Sequence, residues 1–571
     1  MALQHHNSPI KIGNLALGLP NKILLQSMTS TPSLDTEATV EQIIRIVNAG
    51  ADMVRIAAAN TNEARNLSII KTKLQQRSYH IPLIADIHFN PNAAIIAAAI
   101  VEKVRINPGN YMAKNRGQTH WTKKEYQNDL LEIKTRLKPL VEICQAHKTV
   151  IRIGVNYGSL SERIISKYGN TAEGMAESAM EFIHIFQELH FNNIVISLKA
   201  SNVLVMVDSN QLLTEMMKKE KISYPLHLGV TEAGDGNDGR IKSAVGIGSL
   251  LCEGIGQTIR VSLTEEPEFE IPIAQSIIQF AAKNTIKKRI SISYARKETY
   301  AVGNMGHKQS PIVIHNKKPN KPNLQADYIF DDITSTLSKC ETIINEYSIE
   351  DLLNSSENLK KAYFIRINPK TWTKDIARKL KHTKHLIIFL EKTSKTSLDS
   401  IHHLVKEIEA EQIACPLILH LHCSQRSKEK LMISASIQAA SLLLASKLDG
   451  IFIDSSDFDT TEISFAILQA TRQRISKTEY IACPSCGRTL FNIQEKLQEI
   501  KAKTAKYKNL KIGIMGCIVN GPGEMADADF GYVGSGHQKV DIYKAQQIIK
   551  RNVPEEEATQ ALLDVIEQYQ T

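Results

Sequence analysis

The stretch at residues 83–110, LIADIHFNPNAAIIAAAIVEKVRINPGN, contains the unit from which the fold follows. A short apolar and β-branched run at 83–87 ends in polar residues, and a segment of helical character follows it. A second such run begins at Lys103. This order is typical of a strand, a helix and a second, parallel strand.

The same unit repeats on both sides of this stretch. Strand-like runs that precede helix-like segments lie at 23–26, 53–57, 83–87, 103–107, 150–155, 194–199, 226–230 and 258–262. Eight strands that alternate with helices over about 280 residues predict a (β/α)8 TIM barrel, with its active site at the carboxyl ends of the strands. A doubly wound open sheet is the alternative fold.

Two further segments follow the barrel predicted for residues 1–282. Residues 283–475 begin with a basic linker that reaches to about 325, and α/β alternation then resumes at 327–330, 363–367, 385–390, 417–423 and 450–454. IRINP at 365–369 echoes VRINPGN at 104–110, so a degenerate, barrel-like insert is one hypothesis and chance recurrence is the other. Residues 476–571 combine strand-like runs, a predicted hairpin and a closing helix, which predicts a compact α+β module.

Composition and charge narrow the class of protein. The chain has 571 residues, of which 43% are hydrophobic and 23% charged, as in ordinary globular proteins. The net charge of +9 is local, because ten Lys/Arg and a single acid lie between Lys283 and Lys321. This pattern favours a solvated linker over a nucleic-acid surface. No run reaches the roughly 18 apolar residues of a membrane span, and the first residues lack the features of a targeting signal, so we expect a cytoplasmic protein.

Basic residues recur at the carboxyl ends of the predicted barrel strands. They are Arg55, Arg105, Arg152, Lys199 and Arg260. Neutral donors on the same rim are Asn107, Asn156, Ser197, His227 and Ser262. Cations gathered on one rim are costly to bury unless carboxylates or an anionic ligand compensate them. Asp52, Asp86 and Glu232 could form an internal ion-pair network, but three acids do not neutralise five bases. We therefore favour a phosphorylated small ligand.

Single cysteines elsewhere in the chain are typical of small buried side chains. Cys423 is different, because His420 and His422 precede it in LILHLHC. Strand alternation places the two histidines on one face. No further ligand group is visible beside them in the sequence, so a structural role is favoured over a metal site.

The C-terminal segment has metal-ligand spacing, because Cys483 and Cys486 form a CxxC and Cys517 follows after thirty intervening residues. Such a set holds zinc or an iron–sulfur cluster. His537 could complete a zinc site. Alternatively, the GPG turn could return Glu524 to the metal, where a carboxylate marks an iron that can exchange ligands with an oxygen-bearing substrate. A solvated turn acid is the other interpretation of Glu524.

Several long segments of the chain resemble, in the same order, the sequences of one enzyme family. They include ADIHF at 85–89, RIGVNYGSL at 152–160, PLHLGVTEAG at 225–234, ACPSCGRTLF at 482–491 and GCIVNGPGEMADADFGYVG at 516–534. They resemble the GcpE (IspG) family of 4-hydroxy-3-methylbut-2-enyl diphosphate synthases. TEAGDGNDGR resembles the three-domain form of plants and some bacteria, in which a domain is inserted between the barrel and the cluster module. Residues 283–474 resemble the inserted domain of that form mainly in their position and length.

The resemblance implies a reductive ring opening. The substrate would be 2-C-methyl-D-erythritol 2,4-cyclodiphosphate, an intermediate of the methylerythritol phosphate route to isoprenoids. Electrons would come from a ferredoxin or a flavodoxin, for which the basic linker is a hypothetical docking site. By resemblance, Cys483, Cys486, Cys517 and Glu524 ligate a [4Fe-4S] cluster. By resemblance also, the diphosphate is bound by Arg55, Arg105, Arg152, Lys199 and Arg260, assisted by Asn156, Ser197, His227 and Ser262.

Three questions stay open at the level of sequence. Glu232 is either the proton donor for loss of water or an ion-pair partner of the rim arginines. The chain is either a monomer or a homodimer, and its cluster module caps either its own barrel or that of a partner. Two other functions compete with this one. The first is a barrel protein that binds a phosphorylated metabolite or RNA and is stabilised by a structural zinc ion. The second is a non-redox lyase or aldolase.

Overall fold

The computed structural model describes residues 10–18, 22–111, 118–287, 289–316, 325–340, 342–354, 361–519 and 521–570. By its contacts the chain forms two compact units. The first comprises residues 1–243, 255–275 and 477–571, and the second comprises 244–254 and 276–476. The first unit thus holds both the N-terminal barrel and the C-terminal module. The division into segments 1–282, 283–475 and 476–571 stays a prediction about the linear chain.

The N-terminal barrel, called here the first barrel, is confirmed. Its strands are Leu24–Met28, Met53–Ala57, Leu83–Asp86, Lys103–Ile106, Val150–Asn156, Ile194–Lys199, His227–Leu228 and Thr258–Ile259. All paired strands are parallel, and a bridge between Ile196 and Leu226 connects the two ends of the sheet. Each strand overlaps a run predicted from the sequence. The last two are shorter than predicted, so Arg260 and Ser262 follow a strand instead of lying within it.

Helices follow the strands of this barrel. They are Thr36–Asn48, Thr61–Gln76, Pro91–Ala98, Lys123–His147, Glu162–Tyr168, Ala172–Glu188, Val203–Lys219, Gly236–Ser243 and Glu270–Lys283. A hairpin that sequence reasoning missed, Ile10–Ile12 with Leu15–Leu17, packs against the first residues of several strands, including Met53 and Val150. It closes the amino end of the barrel with apolar side chains. The carboxyl end is therefore left for polar groups and a ligand.

The second unit contains a closed barrel, called here the second barrel. Its strands are Ile312–His315, Tyr328–Asp331, Thr336–Lys339, Thr342–Glu346, Tyr363–Ile367, Leu386–Lys392, Leu417–His422 and Gly450–Asp454. Its helices are Ile349–Asn354, Lys374–Lys381, Leu398–Ala410, Lys428–Leu444 and Thr461–Ala470. The pairings around Thr336–Lys339 are antiparallel and the others parallel. The barrel-like hypothesis for the insert is thus correct.

Five of these strands were predicted and three were not. Ile312–His315 lies inside the stretch predicted as a linker. This apolar strand has only four residues, and the basic sequence around it favoured the prediction of a linker. The two strands around residue 340 are short and carry polar side chains, so their alternation is weak. In the core, Phe330, Phe364, Phe389 and Phe452 are fully buried.

The C-terminal module is a five-stranded sheet with helices, as predicted. Its strands are Glu479–Ala482, Lys511–Met515, Phe530–Gly536, Lys539–Lys544 and Gln547–Pro554. Its helices are Ile493–Thr504, Gly521–Glu524 and Glu555–Gln570. The predicted hairpin is present, and Gln547–Pro554 extends it by one unpredicted strand. Across all the described helices, none combines the length and apolar character that a membrane crossing requires.

Candidate active site

The C-terminal module packs on the carboxyl end of the first barrel of the same chain. Ala233, in the loop after a barrel strand, forms a parallel bridge with Ala482 of the module sheet. Beside it, the buried ammonium of Lys242 lies 2.8 Å from a carboxylate oxygen of Glu479. Sequence reasoning left open which barrel the module covers. In this structure the module covers its own barrel.

Two glycines bring the backbones of the module and the barrel into close contact. Gly158 follows the strand Val150–Asn156, and Gly523 belongs to the GPGE turn of the module. A Cβ atom added to Gly523 would lie 2.8 Å from the Cα atom of Gly158, and its neighbours there are all backbone atoms. Neither glycine has a positive φ, so steric fit alone requires glycine here.

One of the pockets between the barrel and the module joins the two groups of residues that the sequence analysis singled out. From the predicted set it is lined by Arg55, Arg105, Arg152, Asn156, Lys199, Glu232, Arg260, Ser262, Cys483, Cys486 and Cys517. Ser197, His227 and Glu524 are buried but do not line it. Asn107 also lies outside it and donates to the hydroxyl of Ser159 at 2.9 Å.

Part of the positive charge is neutralised by the barrel itself. Asp86 accepts a hydrogen bond from Arg105 at 3.2 Å, and Glu270 accepts one from Arg260 at 3.0 Å. Burial alone would raise the pKa of Asp86, but Arg55 and Arg105 outweigh it and hold that pKa well below its usual value. These two acids therefore form salt bridges with two of the five predicted cations, Arg105 and Arg260.

The other three cations have no carboxylate within salt-bridge distance among the described residues. They are Arg55, Arg152 and Lys199, and all are buried. Arg152 is 1% exposed, donates to the hydroxyl of Ser197 at 2.7 Å, and leaves Nε and Nη2 without a partner. Burial, then repulsion from neighbouring cations, lowers the pKa of Lys199. Buried cations in this state favour an anionic ligand.

Some charged residues of the site were missed or misplaced by sequence reasoning. Arg488 of the module reaches Asp86 at 2.9 Å, so one barrel carboxylate binds arginines from both ends of the chain. Its position two residues after Cys486 was an available signal. Glu270 was not considered, since it lies on a helix after the last strand. Asp52, expected on the rim, accepts from the amide of Leu25 at the opposite, amino end.

The three cysteines lie together in the pocket, and the amide of Gly516 donates to Cys483 Sγ at 3.3 Å. Among the described residues, Glu391, His420 and His422 form the one group of three potential metal ligands whose atoms all lie within 4.8 Å of one another. The three cysteine sulfurs therefore do not all lie within that distance of one another. His537, the alternative zinc ligand, is exposed and does not line the pocket.

Two acids lie together beside the cysteines. Glu232 is 1% exposed, lines the pocket and has a left-handed backbone with φ of 48°. Its carboxyl group hydrogen bonds that of Glu524, which is 3% exposed. Burial, and then the charge of Glu232, raises the pKa of Glu524 well above its usual value. Glu524 is thus buried, and its interpretation as a solvated turn acid is wrong.

Comparison with known proteins places this site in a family. The GcpE TIM-barrel domain matches residues 7–275, and the GcpE protein C-terminal domain matches residues 479–568. The chain belongs to the GcpE family. The cation-lined rim and the three cysteines fall within these two matched segments, so the resemblance that the sequence suggested is confirmed.

Individual relatives match along nearly the whole chain. The 4-hydroxy-3-methylbut-2-en-1-yl diphosphate synthase (flavodoxin) of Bacteroides thetaiotaomicron is 42% identical, over 99% of this chain and 97% of the relative. The chloroplastic ferredoxin-dependent synthase of Arabidopsis thaliana is 36% identical, over 98% of this chain and 86% of the relative. Both alignments include the segment between the two GcpE domains, so these relatives share the insert.

Proposed function

We infer that this GcpE-family chain is an oxidoreductase that makes 4-hydroxy-3-methylbut-2-en-1-yl diphosphate, the product in the names of its relatives. The reaction opens the ring of 2-C-methyl-D-erythritol 2,4-cyclodiphosphate, takes up two electrons and eliminates water. The observation that carries this assignment is the pocket that buried cations of the barrel and cysteines of the module line together. A diphosphate fits the first group of residues, and a redox centre fits the second.

The barrel residues would bind and orient the cyclic diphosphate. Arg55, Arg152 and Lys199 have no carboxylate within salt-bridge distance among the described residues, and guanidinium groups donate paired hydrogen bonds to phosphate oxygens. Arg105 and Arg260 are held in place by Asp86 and Glu270. Ser197 positions Arg152 through a hydrogen bond, while Asn156 and Ser262 line the pocket as neutral groups. His227 is fully buried in the barrel and is a supporting residue in this proposal.

The donor set fits a [4Fe-4S] cluster. Cys483, Cys486 and Cys517 are three thiols that line one pocket, and Glu524 is a buried carboxyl group in contact with Glu232, which lines the same pocket. We propose these four side chains as its ligands. When bound, the cluster would supply electrons to the substrate one at a time. The module and the barrel together would keep bulk water away from the reacting groups.

Glu232 is the proposed proton donor for the elimination of water. Its carboxyl group lines the same pocket as Lys199 and Cys483, so it can reach a ligand bound between the rim and the module. In this position it could protonate the departing hydroxyl group. The carboxylate charge of Glu232 also acts on Arg105, and the role of ion-pair partner is the alternative.

The electron donor is proposed by analogy. Relatives named for flavodoxin and a relative named for ferredoxin both align along nearly the whole chain, so either small redox protein is a candidate. The basic linker remains a hypothetical docking site, although Lys317, Lys318 and Lys321 lie outside the described residues. Reduction kinetics that do not depend on salt would exclude this electrostatic docking.

Inorganic pyrophosphate is expected to stabilise the protein. An anion bound at Arg55, Arg152 and Lys199 relieves the cost of burying three unpaired cations, and preferential binding to the folded state raises the melting temperature. The measurement is differential scanning fluorimetry with pyrophosphate at constant ionic strength. Arg45→Ala, which removes a surface arginine paired with Glu268 at 2.9 Å, should retain the shift. Absence of any shift in the wild type would exclude an anion site at the rim.

The redox assignment is tested by iron content, colour and activity of anaerobically purified protein. The wild type should be brown, with absorbance near 400 nm and about four irons per chain, and should turn over only with a reductant. Glu524→Ala should retain iron less firmly during gel filtration and lose at least tenfold in kcat. Glu556→Ala, an exposed acid on the closing helix of the same module, should match the wild type.

Two outcomes would overturn this proposal. Colourless, iron-free protein that is fully active would support a zinc protein or a non-redox lyase. Full activity and firmly bound iron in Glu524→Ala would remove Glu524 from the ligand set.

A further inference from the structure

The carboxyl-end mouth of the second barrel holds a group of potential metal ligands outside the site described above. Glu391, His420 and His422 each offer a ligand atom, and these atoms lie within 4.8 Å of one another. We propose that this group, called here the mouth triad, binds one divalent transition-metal ion. The sequence showed the two histidines but no further ligand. The fold supplies Glu391 from the neighbouring strand.

Strand pairing explains why these side chains meet. Glu391 is in register with His420 across two parallel strands, and His422 is in register with Asp454 on the next strand. Alternation along the strand puts His420 and His422 on the same face, and their ring centres lie 4.0 Å apart. These residues occupy the carboxyl ends of their strands, which is where barrel proteins hold ligands and metals.

The distances suit an ion between the imidazoles and the carboxylate. Nε2 of His422 lies 3.5 Å from Oε1 of Glu391, close to the separation of about 3–3.5 Å between ligands that surround a zinc ion at about 2.1 Å. On its other side, Nδ1 of His422 lies 3.4 Å from Asp454. Asp454 in turn accepts from the amide of Asn316 at 2.7 Å. A carboxylate behind a histidine in this way orients the ring of a metal ligand.

The unsatisfied state of His420 is an independent observation that points to a ligand. This residue is 1% exposed, and neither of its ring nitrogens has a hydrogen-bond partner. Its nearest acid oxygen, on Asp454, is 3.8 Å away. The ring stacks on Phe452 with centroids 4.3 Å apart, which fixes its orientation toward the mouth. A buried imidazole without a partner is costly, and a metal ion at the triad would satisfy it.

The chemical types of the three ligands determine which metal ions the mouth triad favours. Two imidazoles and one carboxylate favour zinc or another first-row transition ion over magnesium or calcium, which prefer oxygen donors alone. Three protein ligands leave a coordination position open. His422 is 34% exposed, so that position faces solvent.

Zinc titration of the holoenzyme tests the proposal. We expect one Zn²⁺ per chain in isothermal titration calorimetry, with zinc-edge X-ray absorption showing only nitrogen and oxygen ligands at about 2.0–2.1 Å. Sulfur at about 2.3 Å would instead mean that zinc had bound to cysteines freed from the cluster, and would overturn the assignment. Iron content measured on the same samples separates this result from any failure of the redox proposal.

Variants of the triad complete the test. His422→Ala, at a partly exposed position, and the conservative Glu391→Gln should each weaken zinc binding at least tenfold without changing the iron content. His403→Ala is the matched control, because His403 is an exposed histidine of the second unit that lies 3.6 Å from Glu407. It should bind zinc like the wild type. Wild-type affinity in His422→Ala, or no binding by the wild type, would disprove the proposal.

Discussion

Replacing Arg152 by methionine is expected to lower kcat/KM about 1000-fold while the iron content stays at the wild-type level. Arg152 is the most deeply buried arginine of the rim, and two of its guanidinium nitrogens have no protein partner. The change therefore removes a charge that is aimed at the ligand and leaves the module untouched. Loss of a buried, charge-assisted contact of this kind costs about 4 kcal/mol, or about three factors of ten.

A second buried arginine of the same barrel provides the control. Arg163 donates to both oxygens of Glu181, at 2.7 and 2.8 Å, and it does not line the pocket of the candidate site. Arg163→Met should therefore lower the melting temperature but leave the KM of folded protein near the wild-type value. An Arg152→Met enzyme with wild-type kcat/KM would remove Arg152 from the substrate-binding site.

Replacing Gly523 by alanine is expected to reduce kcat/KM to about one hundredth or less. The added methyl group would overlap the backbone of Gly158, which cannot rotate away as a side chain could. The module must then shift from the rim, and misplacement by about 1 Å can cost about 100-fold in rate. Gly536→Ala, in the same module, is the control because its Cβ would meet Lys539 at an ordinary 3.8 Å. Full activity of Gly523→Ala would show that the contact does not position the module.

Mixing inactive variants tests whether each module serves its own barrel. Arg152→Met removes a proposed substrate-binding residue of the barrel. Glu524→Ala removes a proposed cluster ligand of the module. With each module on its own barrel, a mixture of the two proteins contains no intact site and should stay inactive. Recovery of activity on mixing would show that modules are exchanged between chains in solution.

The sequence predicted the parts of the fold that have regular patterns. Eight apolar strands, each followed by a helix, specify a parallel barrel, and every one of those strands is present. The missed strands are those of the hairpin at Ile10–Leu17, Ile312–His315, Thr336–Lys339, Thr342–Glu346 and Gln547–Pro554. All but the last are three to five residues long, and too few side chains alternate in each to distinguish a strand from a loop.

For the candidate site, the sequence alone predicted the chemical groups: the rim cations, the three cysteines and, by resemblance, the acid of the GPGE turn. It did so because strand ends and CxxC spacing are local features. Only the tertiary structure decided that Arg488 shares Asp86 with Arg105, that Glu524 meets Glu232, and that Glu391 joins the two histidines of the second barrel. These contacts join residues that are distant in the chain or lie on separate strands. Register and domain packing set them, and no periodicity along the sequence encodes either.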